Sequence, residues 1–249
     1  MLYCDLNCDL GEGAGNDAAI MPFLSSANIA CGGHAGDADT MKRTVDLCLR
    51  YSVAIGAHPS YPDREQFGRV DLLGSSVKLE DLPGMIGEQV VALQQVCAAA
   101  GLRLHHVKPH GALYNRAAKD AAVSALICET IRAIDRRLIL YGLSGSCMQA
   151  EAERLGLPFC SEVFADRTYA DDGSLTPRTQ PNALIEEGEE SVRQVLQMVK
   201  EGAVRTTSGK VIPIAAGTIC LHGDGRHAVA FARSIFEALK KEGISICSC

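Results

Sequence analysis

Lys108 lies in the run His106-Val107-Lys108-Pro109-His110, where three cationic or titratable side chains recur at every second position. In an extended strand this spacing puts His106, Lys108 and His110 on one face and Val107 and Pro109 on the other. The preceding residues are apolar, so Leu104 to Val107 reads as a buried strand. Ionisable groups are unfavourable in such a place unless they are paired or employed. The run therefore marks either a reactive site or a strand end with solvated charges. Lysine offers a fixed cation for carboxylate or phosphoryl oxygens. Histidine, with an intrinsic pKa near ~6.5, carries protons in either direction at neutral pH.

The same junction of apolar run and polar exit recurs along the chain. Strand-like runs end at Asp9, His34, His58, Lys108 with His110, Glu162 with Asp166, and His222 with Asp224. The first run alternates Tyr3, Asp5, Asn7 and Asp9 against Cys4, Leu6, Cys8 and Leu10. Gly11-Glu12-Gly13-Ala14-Gly15 follows, but Asn16 stands where a dinucleotide fingerprint needs its third glycine, so we read a strand-exit loop. No G-x-x-x-x-G-K-[ST] phosphate loop occurs.

Between these runs lie helical patterns. One follows Asp37 or Asp39, with Ala38, Met41, Val45 and Cys48 on one stripe. Others place Ile86, Val90, Leu93 and Cys97, then Val123, Ile127 and Ile131, then Val192, Val195 and Val199, then Val229, Ala232, Ile235 and Leu239. Glycines at 101, 156, 202 and 243 close helices. Val204 to Ile214 reads as a hairpin around Ser208-Gly209, and Thr218 to His222 as the seventh strand. The stretch from Ser60 to Ser76 is long and irregular, as functional loops often are.

Alternating strands and helices imply an α/β fold with a mainly parallel sheet. An open sheet gathers its chemistry at one switch point, whereas a barrel collects every strand exit around one mouth. Polar exits on nearly every strand favour the barrel. We therefore expect a single irregular seven-stranded (β/α) barrel spanning residues 1–249.

The composition fits this expectation. Of 249 residues, 47% are hydrophobic and 22% charged, enough for a sizeable core. A net charge of −6 with scattered basic residues argues against nucleic-acid or membrane-surface partners. No apolar run approaches the ~20 residues of a membrane span, and the first residues lack the pattern of a secretory signal. The eleven cysteines are spread evenly without a C-x-x-C pair. They read as small core hydrophobes in a reducing compartment, the cytoplasm, with Cys247-Ser248-Cys249 as a frayed tail.

Taken together, the motifs resemble the LamB/YcsF family. The matching stretches are Asp5 to Glu12, Ser26 to Gly32 with His34 to Asp37, Gly56 to Asp63, Phe67 to Arg69, Val107 to Asn115, Glu162 to Arg167 with Tyr169, and Cys220 with His222 to Asp224. They cover the chain from end to end in the family's order. Three positions depart from the pattern. Gln66 and Val70 occupy places usually held by glycine and a second arginine, and Gly33 one often held by phenylalanine. The loop after the third strand thereby lacks one guanidinium.

The resemblance implies a barrel related to glycoside hydrolases and polysaccharide deacetylases. It also implies a reaction in which 5-oxo-L-proline, ATP and water give L-glutamate, ADP and phosphate, carried out with two further 5-oxoprolinase subunits, B and C. On that reading Asp9, His58, Lys108, His110, Glu162 and His222 form the catalytic set. Lys108 and Arg167 meet anions, Asp9 or Glu162 activates water, and His110 or His222 shuttles the proton. Asn7, Asn28, His34, Arg69, Asp166, Arg167 and Asp224 are the expected substrate contacts.

Two other functions stay open at this level. Asp9, His34 and His58 are also a plausible divalent-metal set, which suits a deacetylase or amidohydrolase acting alone. The chain can equally be a non-catalytic subunit that binds substrate. Individual residues have plainer readings too. Asp5 and Asn7 can be hydrogen-bonded core groups, and His105 a packing residue. Cys31 is a candidate nucleophile only if something lowers its pKa. Asp37 and Asp39 suit helix caps, and Tyr114 and Asn115 either orient a ligand or complete a helix start.

Overall fold

The computed structural model describes residues 2–222 and 228–249. Asp224, an expected substrate contact, lies outside them. The chain opens with β1 (Tyr3–Leu10), a single turn α1 (Asp17–Ile20) and β2 (Ser26–Ala30). Then come α2 (Ala38–Tyr51), β3 (Ala54–His58), the long loop, α3 (Leu82–Ala99) and β4 (His106–Val107). The next elements are α4 (Gly111–Ala117), α5 (Ala121–Ile134), β5 (Ile139–Leu143), α6 (Cys147–Leu155) and β6 (Phe159–Phe164). The chain finishes with α7 (Gly188–Glu201), the hairpin β7 (Ala203–Arg205) and β8 (Val211–Pro213), β9 (Thr218–His222), α8 (Ala228–Lys241) and β10 (Ser245–Ile246).

Strands β1 to β6 pair in sequence order, β6 pairs with β9, and β9 closes the ring on β1, all in parallel. The barrel therefore has seven staves, as the strand count in the sequence predicts. The closing register sets Asp5 opposite Thr218, Asn7 opposite Cys220 and Asp9 opposite His222. The β7–β8 hairpin stands apart as its own antiparallel sheet.

Strand alternation decides what fills the barrel. The even residues of β1, Cys4, Leu6, Cys8 and Leu10, are buried in the hydrophobic core cluster, as are Ile55 and Ala57 of β3. The odd residues point inwards and build polar layers, unlike the branched aliphatic filling usual in such barrels. At the base, Asp5 accepts hydrogen bonds from Ser25 at 2.5 Å and Thr218 at 2.7 Å. Burial raises the Asp5 pKa, and these two donors oppose it. Above it, Asn7 donates to Thr218 at 2.6 Å and to Glu162 at 3.1 Å. His106 stacks on Tyr141 at 3.9 Å and bonds Asn28 Oδ1 at 2.8 Å. Gly56 on β3 leaves the space for that imidazole, because a Cβ there would run into the His106 ring.

Several expectations are met and some corrected. Asp37 caps α2 by accepting from Thr40 N at 2.7 Å, and Gly156 and Gly202 close α6 and α7 in the left-handed region. Ala38, expected on the buried stripe of α2, is exposed, and Thr44 fills the stripe instead. The strand expected over Leu104 to Val107 is formally only two residues long. Its pairing continues as His105 N, Lys108 N and His110 N donate to Ile55, Ala57 and Pro59 carbonyls, but Pro109 has no N–H to extend the ladder.

The tail is not frayed. Ser245 and Ile246 lie parallel to Tyr3 and Cys4, Cys247 N donates to the Cys4 carbonyl, and Cys249 forms a disulfide with Cys160. That pairing also departs from the expectation of unpaired cysteines in a reducing compartment. The reason is topological: β1 extends below the start of β2, leaving backbone groups that β10 satisfies.

Candidate active site

The upper half of the barrel holds a run of charged groups almost sealed from solvent. Lys108, at the end of β4, reaches across to β1 and β6. Its ammonium lies 2.9 Å from Asp9 Oδ1, 2.9 Å from Glu162 Oε1 and 3.0 Å from Cys220 Sγ. Burial disfavours the charged form of this lysine, but Asp9, Cys220 and Glu162 outweigh it and hold its pKa well above the ordinary value. Asn28 donates to both Asp9 Oδ1 at 2.8 Å and Asn7 Oδ1 at 2.7 Å, tying the two layers together. The second oxygen of Glu162 has no hydrogen-bond partner among the described residues.

Asp9 is held from several sides. Besides Lys108 and Asn28, its Oδ2 is 3.3 Å from His58 Nε2. Burial opposes its charge, yet the neighbouring His58 and Lys108 hold the carboxyl well below the usual carboxylate range. It is a carboxylate at neutral pH.

On one side of Asp9 three imidazoles gather. His58 at the end of β3 and His110 at the start of α4 approach to 2.9 Å between Nε2 and Nδ1. His34, in the loop after β2, stacks flat on His110 at 3.6 Å. Glu12 folds back from the glycine-rich exit of β1 and meets His34 Nε2 at 2.7 Å, His110 Nδ1 at 3.5 Å and His58 Nε2 at 3.8 Å. Burial, reinforced by His58, lowers the His34 pKa to about 3 and the His110 pKa to about 2. The positive φ of Gly11, 72°, turns the chain so that Glu12 points inwards.

On the other side stands a second acid–imidazole pair. His222, ending β9, lies 2.7 Å from Asp166 Oδ2 through Nδ1 and 3.2 Å from Arg178 through Nε2. Burial works against its proton, but Asp166 outweighs that and raises its pKa. Burial likewise opposes the charge on Asp166, and His222, Arg167 and Arg178 outweigh it, lowering that pKa. Phe164 separates this pair from the centre, with its ring 5.8 Å from His222 and 5.6 Å from the Lys108 ammonium.

The fold thus brings Asn7, Asp9, Asn28, Lys108 and Glu162 into one buried network, with His34, His58 and His110 on one flank and His222 with Asp166 on the other. Arg167 is employed differently, as its guanidinium donates to the Thr176 and Ala183 carbonyls of the loop after β6. Burial lowers its pKa to about 10. Arg69 is exposed, with its guanidinium over the Phe67 ring at 5.1 Å. The strand end with solvated charges is excluded, since His106, Lys108 and His110 are all buried. Of the expected metal set, Asp9 and His58 approach each other, while His34 pairs with Glu12.

Glu12 is the main residue that sequence reasoning passed over. Its signal was an acid three positions beyond Asp9 in a glycine-rich exit. Cys220 and Thr218 also join the network, and their inward parity on β9 was readable. Cys31 is no activated nucleophile: burial pushes its thiol up to about 12, and it donates to the Ile29 carbonyl. Burial and the adjacent Glu162 push the Tyr114 phenol well above its ordinary value.

The chain is thus a closed parallel α/β barrel with carboxylates, imidazoles and a lysine gathered at one mouth. The chain belongs to the LamB/YcsF family, whose model matches residues 4–249. It is 51% identical over 247 residues to the A subunit of 5-oxoprolinase from Bordetella pertussis, covering 97% of each chain. A solved lactam utilization protein from Thermus thermophilus is 38% identical and superposes with a TM-score of 0.93 over the whole of both chains. A family 4 carbohydrate esterase from Streptomyces lividans, 14% identical with a TM-score of 0.52 over 99% of this chain and 91% of that one, shares the fold.

Proposed function

We propose that this chain is the A subunit of an ATP-dependent 5-oxoprolinase, acting with B and C subunits in the cytoplasm to convert 5-oxo-L-proline to L-glutamate. The observation that carries the reading is the buried Asp9–Lys108–Glu162 network flanked by two imidazole groups, in a chain half identical to proteins named for that activity.

A five-membered lactam is a poor electrophile. ATP phosphorylates the amide oxygen and leaves as ADP, water attacks C5, and the C5–N bond breaks as the ring nitrogen takes a proton; the acyl phosphate so formed is hydrolysed by a second water to glutamate and phosphate. Lys108 lies between Asp9 and Glu162 inside the barrel and favours the ionised form of Asp9. Asp9, ionised and 3.3 Å from His58, is the acceptor for the proton of water, and Glu162 fixes the lysine from below. His222, its proton favoured by Asp166, is the donor to the departing nitrogen once its Nε2 exchanges Arg178 for substrate. His110 contacts His58 and holds its ring beside Asp9. Asn7 and Asn28 orient the acids rather than the substrate. The chain carries no P-loop, so ATP is held by another arrangement, shared with the partner subunits.

Reconstitution tests this. The chain is mixed with its candidate B and C partners, 5-oxoproline and ATP, and glutamate and phosphate are followed together. Equal release of both, requiring all three chains, is expected. Lactam hydrolysis by this chain alone without ATP would instead identify an independent amidohydrolase. Turnover unaffected by loss of Asp9, Lys108 and His222 would leave the chain a purely binding role.

A further inference from the structure

The three histidines beside Asp9 are subject to a strict hydrogen-bond accounting. His58 Nδ1 is 2.7 Å from the Lys108 carbonyl oxygen, and His110 Nε2 is 2.9 Å from the Phe67 carbonyl oxygen. A carbonyl only accepts, so each of those nitrogens carries the ring proton. When both rings are neutral, the opposite nitrogens, His58 Nε2 and His110 Nδ1, present lone pairs to each other at 2.9 Å. Glu12 Oε1, also an acceptor, stands 3.8 Å and 3.5 Å from them and 2.7 Å from His34 Nε2. Acceptors converging at such distances in a buried place repel one another unless a metal ion or a shared proton lies among them.

The backbone carbonyls behind His58 and His110 do what partners behind metal-bound imidazoles do. They fix the tautomer and aim the free nitrogen. Ligands of a zinc-type ion sit about 2.0–2.2 Å from it, so two of them are at most ~4.4 Å apart. The separations of 2.7, 2.9, 3.5 and 3.8 Å all fit within that span. All four ligand atoms lie within 4.8 Å of one another, so a shift of well under an ångström completes the set. An open groove of about 650 Å³, lined by Glu12, Gly13, His34, Asp37, Arg64 and Phe67, leads to two of the four ligands.

We propose that Glu12, His34, His58 and His110 bind one divalent transition-metal ion of the zinc class, beside Asp9 at the mouth of the barrel. Imidazole and carboxylate donors without thiolate suit zinc, nickel or iron rather than magnesium or calcium. Such an ion supplies Lewis acidity next to the proposed acid network. The assignment does not rest on the 5-oxoprolinase reading, because it concerns binding by this chain alone.

The test uses the full chain stripped with chelator and titrated with Zn²⁺ by calorimetry, with metal content measured after gel filtration. One equivalent per chain is expected, and the His58→Ala/His110→Ala double variant should bind at least ~10-fold more weakly. The eleven cysteines offer Zn²⁺ other sites, so the wild-type chain is also loaded with Co²⁺. Visible d–d bands without a thiolate-to-cobalt charge-transfer band are expected. Because that spectrum needs no variant, misfolding of the double variant cannot obscure it. Failure to retain Zn²⁺ at micromolar concentration, undiminished binding by a folded double variant, or a thiolate spectrum would each overturn the proposal. The first outcome would mean that a shared proton holds the histidines together.

Discussion

The Lys108 ammonium is held midway between two carboxylates, 2.9 Å from Asp9 and 2.9 Å from Glu162. The lysine is therefore already neutralised before any substrate arrives. Its first task is to make two buried acids tolerable, and any contact with a substrate anion is added to that.

Replacing Lys108 should accordingly affect both folding and activity. Lys108→Met leaves two buried acids without their shared cation and should destabilise the chain by ~3–5 kcal/mol. Adding Glu162→Gln should return part of that stability, but glutamate formation in the reconstituted complex should remain absent. Urea unfolding of both variants, alongside the coupled assay, decides it. Retained turnover in a folded Lys108→Met chain would rule out the catalytic assignment.

The His222–Asp166 pair predicts a particular pH dependence. The folded chain raises the His222 pKa, so the stability this adds is fully present below the unfolded value of ~6.5 and fades as pH rises through the folded value. Asp166 has its pKa lowered, so its share is present above ~3.9 and is lost as pH falls through the folded value. Asp166→Asn should therefore destabilise most between those limits, near pH 5.5, and less at pH 9. Equal losses at both pH values would contradict the pairing. An NMR titration should also show the His222 pKa falling in the variant.

Gly56 gives a prediction about packing alone. A methyl group there meets the His106 ring, which Tyr141 and Asn28 hold in place. Gly56→Ala should destabilise by ~1–3 kcal/mol, as overpacked cores do. A change below ~0.5 kcal/mol in chemical denaturation, the range of ordinary surface substitutions, would show that His106 has freedom the structure does not give it.

The docked tail predicts a thiol count. With Cys160 joined to Cys249, alkylation of the denatured, unreduced chain should label nine of eleven cysteines, and peptide mapping should return a 160–249 pair. Cys249→Ser should raise the number of modified sites to ten by freeing Cys160. Eleven labelled thiols in the unaltered chain would place the tail there by packing and the β10 ladder alone.

Much of this molecule was legible in one dimension. The period-two polarity of Asp5, Asn7 and Asp9, and of His106, Lys108 and His110, fixed which side of each strand faces inwards. Polar exits on nearly every strand pointed to a barrel, the strand count to its seven staves, and Asp37 and the closing glycines to helix ends. These are local properties, set by backbone geometry within a few residues.

Distances between strands are not local. Lys108 meets Asp9 and Glu162, 99 positions before it and 54 after, only because β1, β4 and β6 share one closed ring. Asp9 faces His222 because β9 closes on β1 in one particular register, and a slip of one residue would turn either side chain outwards. The return of Glu12 to three histidines, the commitment of Arg167 to loop carbonyls and the docking of Cys249 follow from that closure too. The sequence alone determined which groups lie inside the barrel. Which of them touch, and hence which charges are neutralised and which lone pairs converge, was decided by tertiary structure, because buried polar groups must find partners among whatever the closed ring sets beside them.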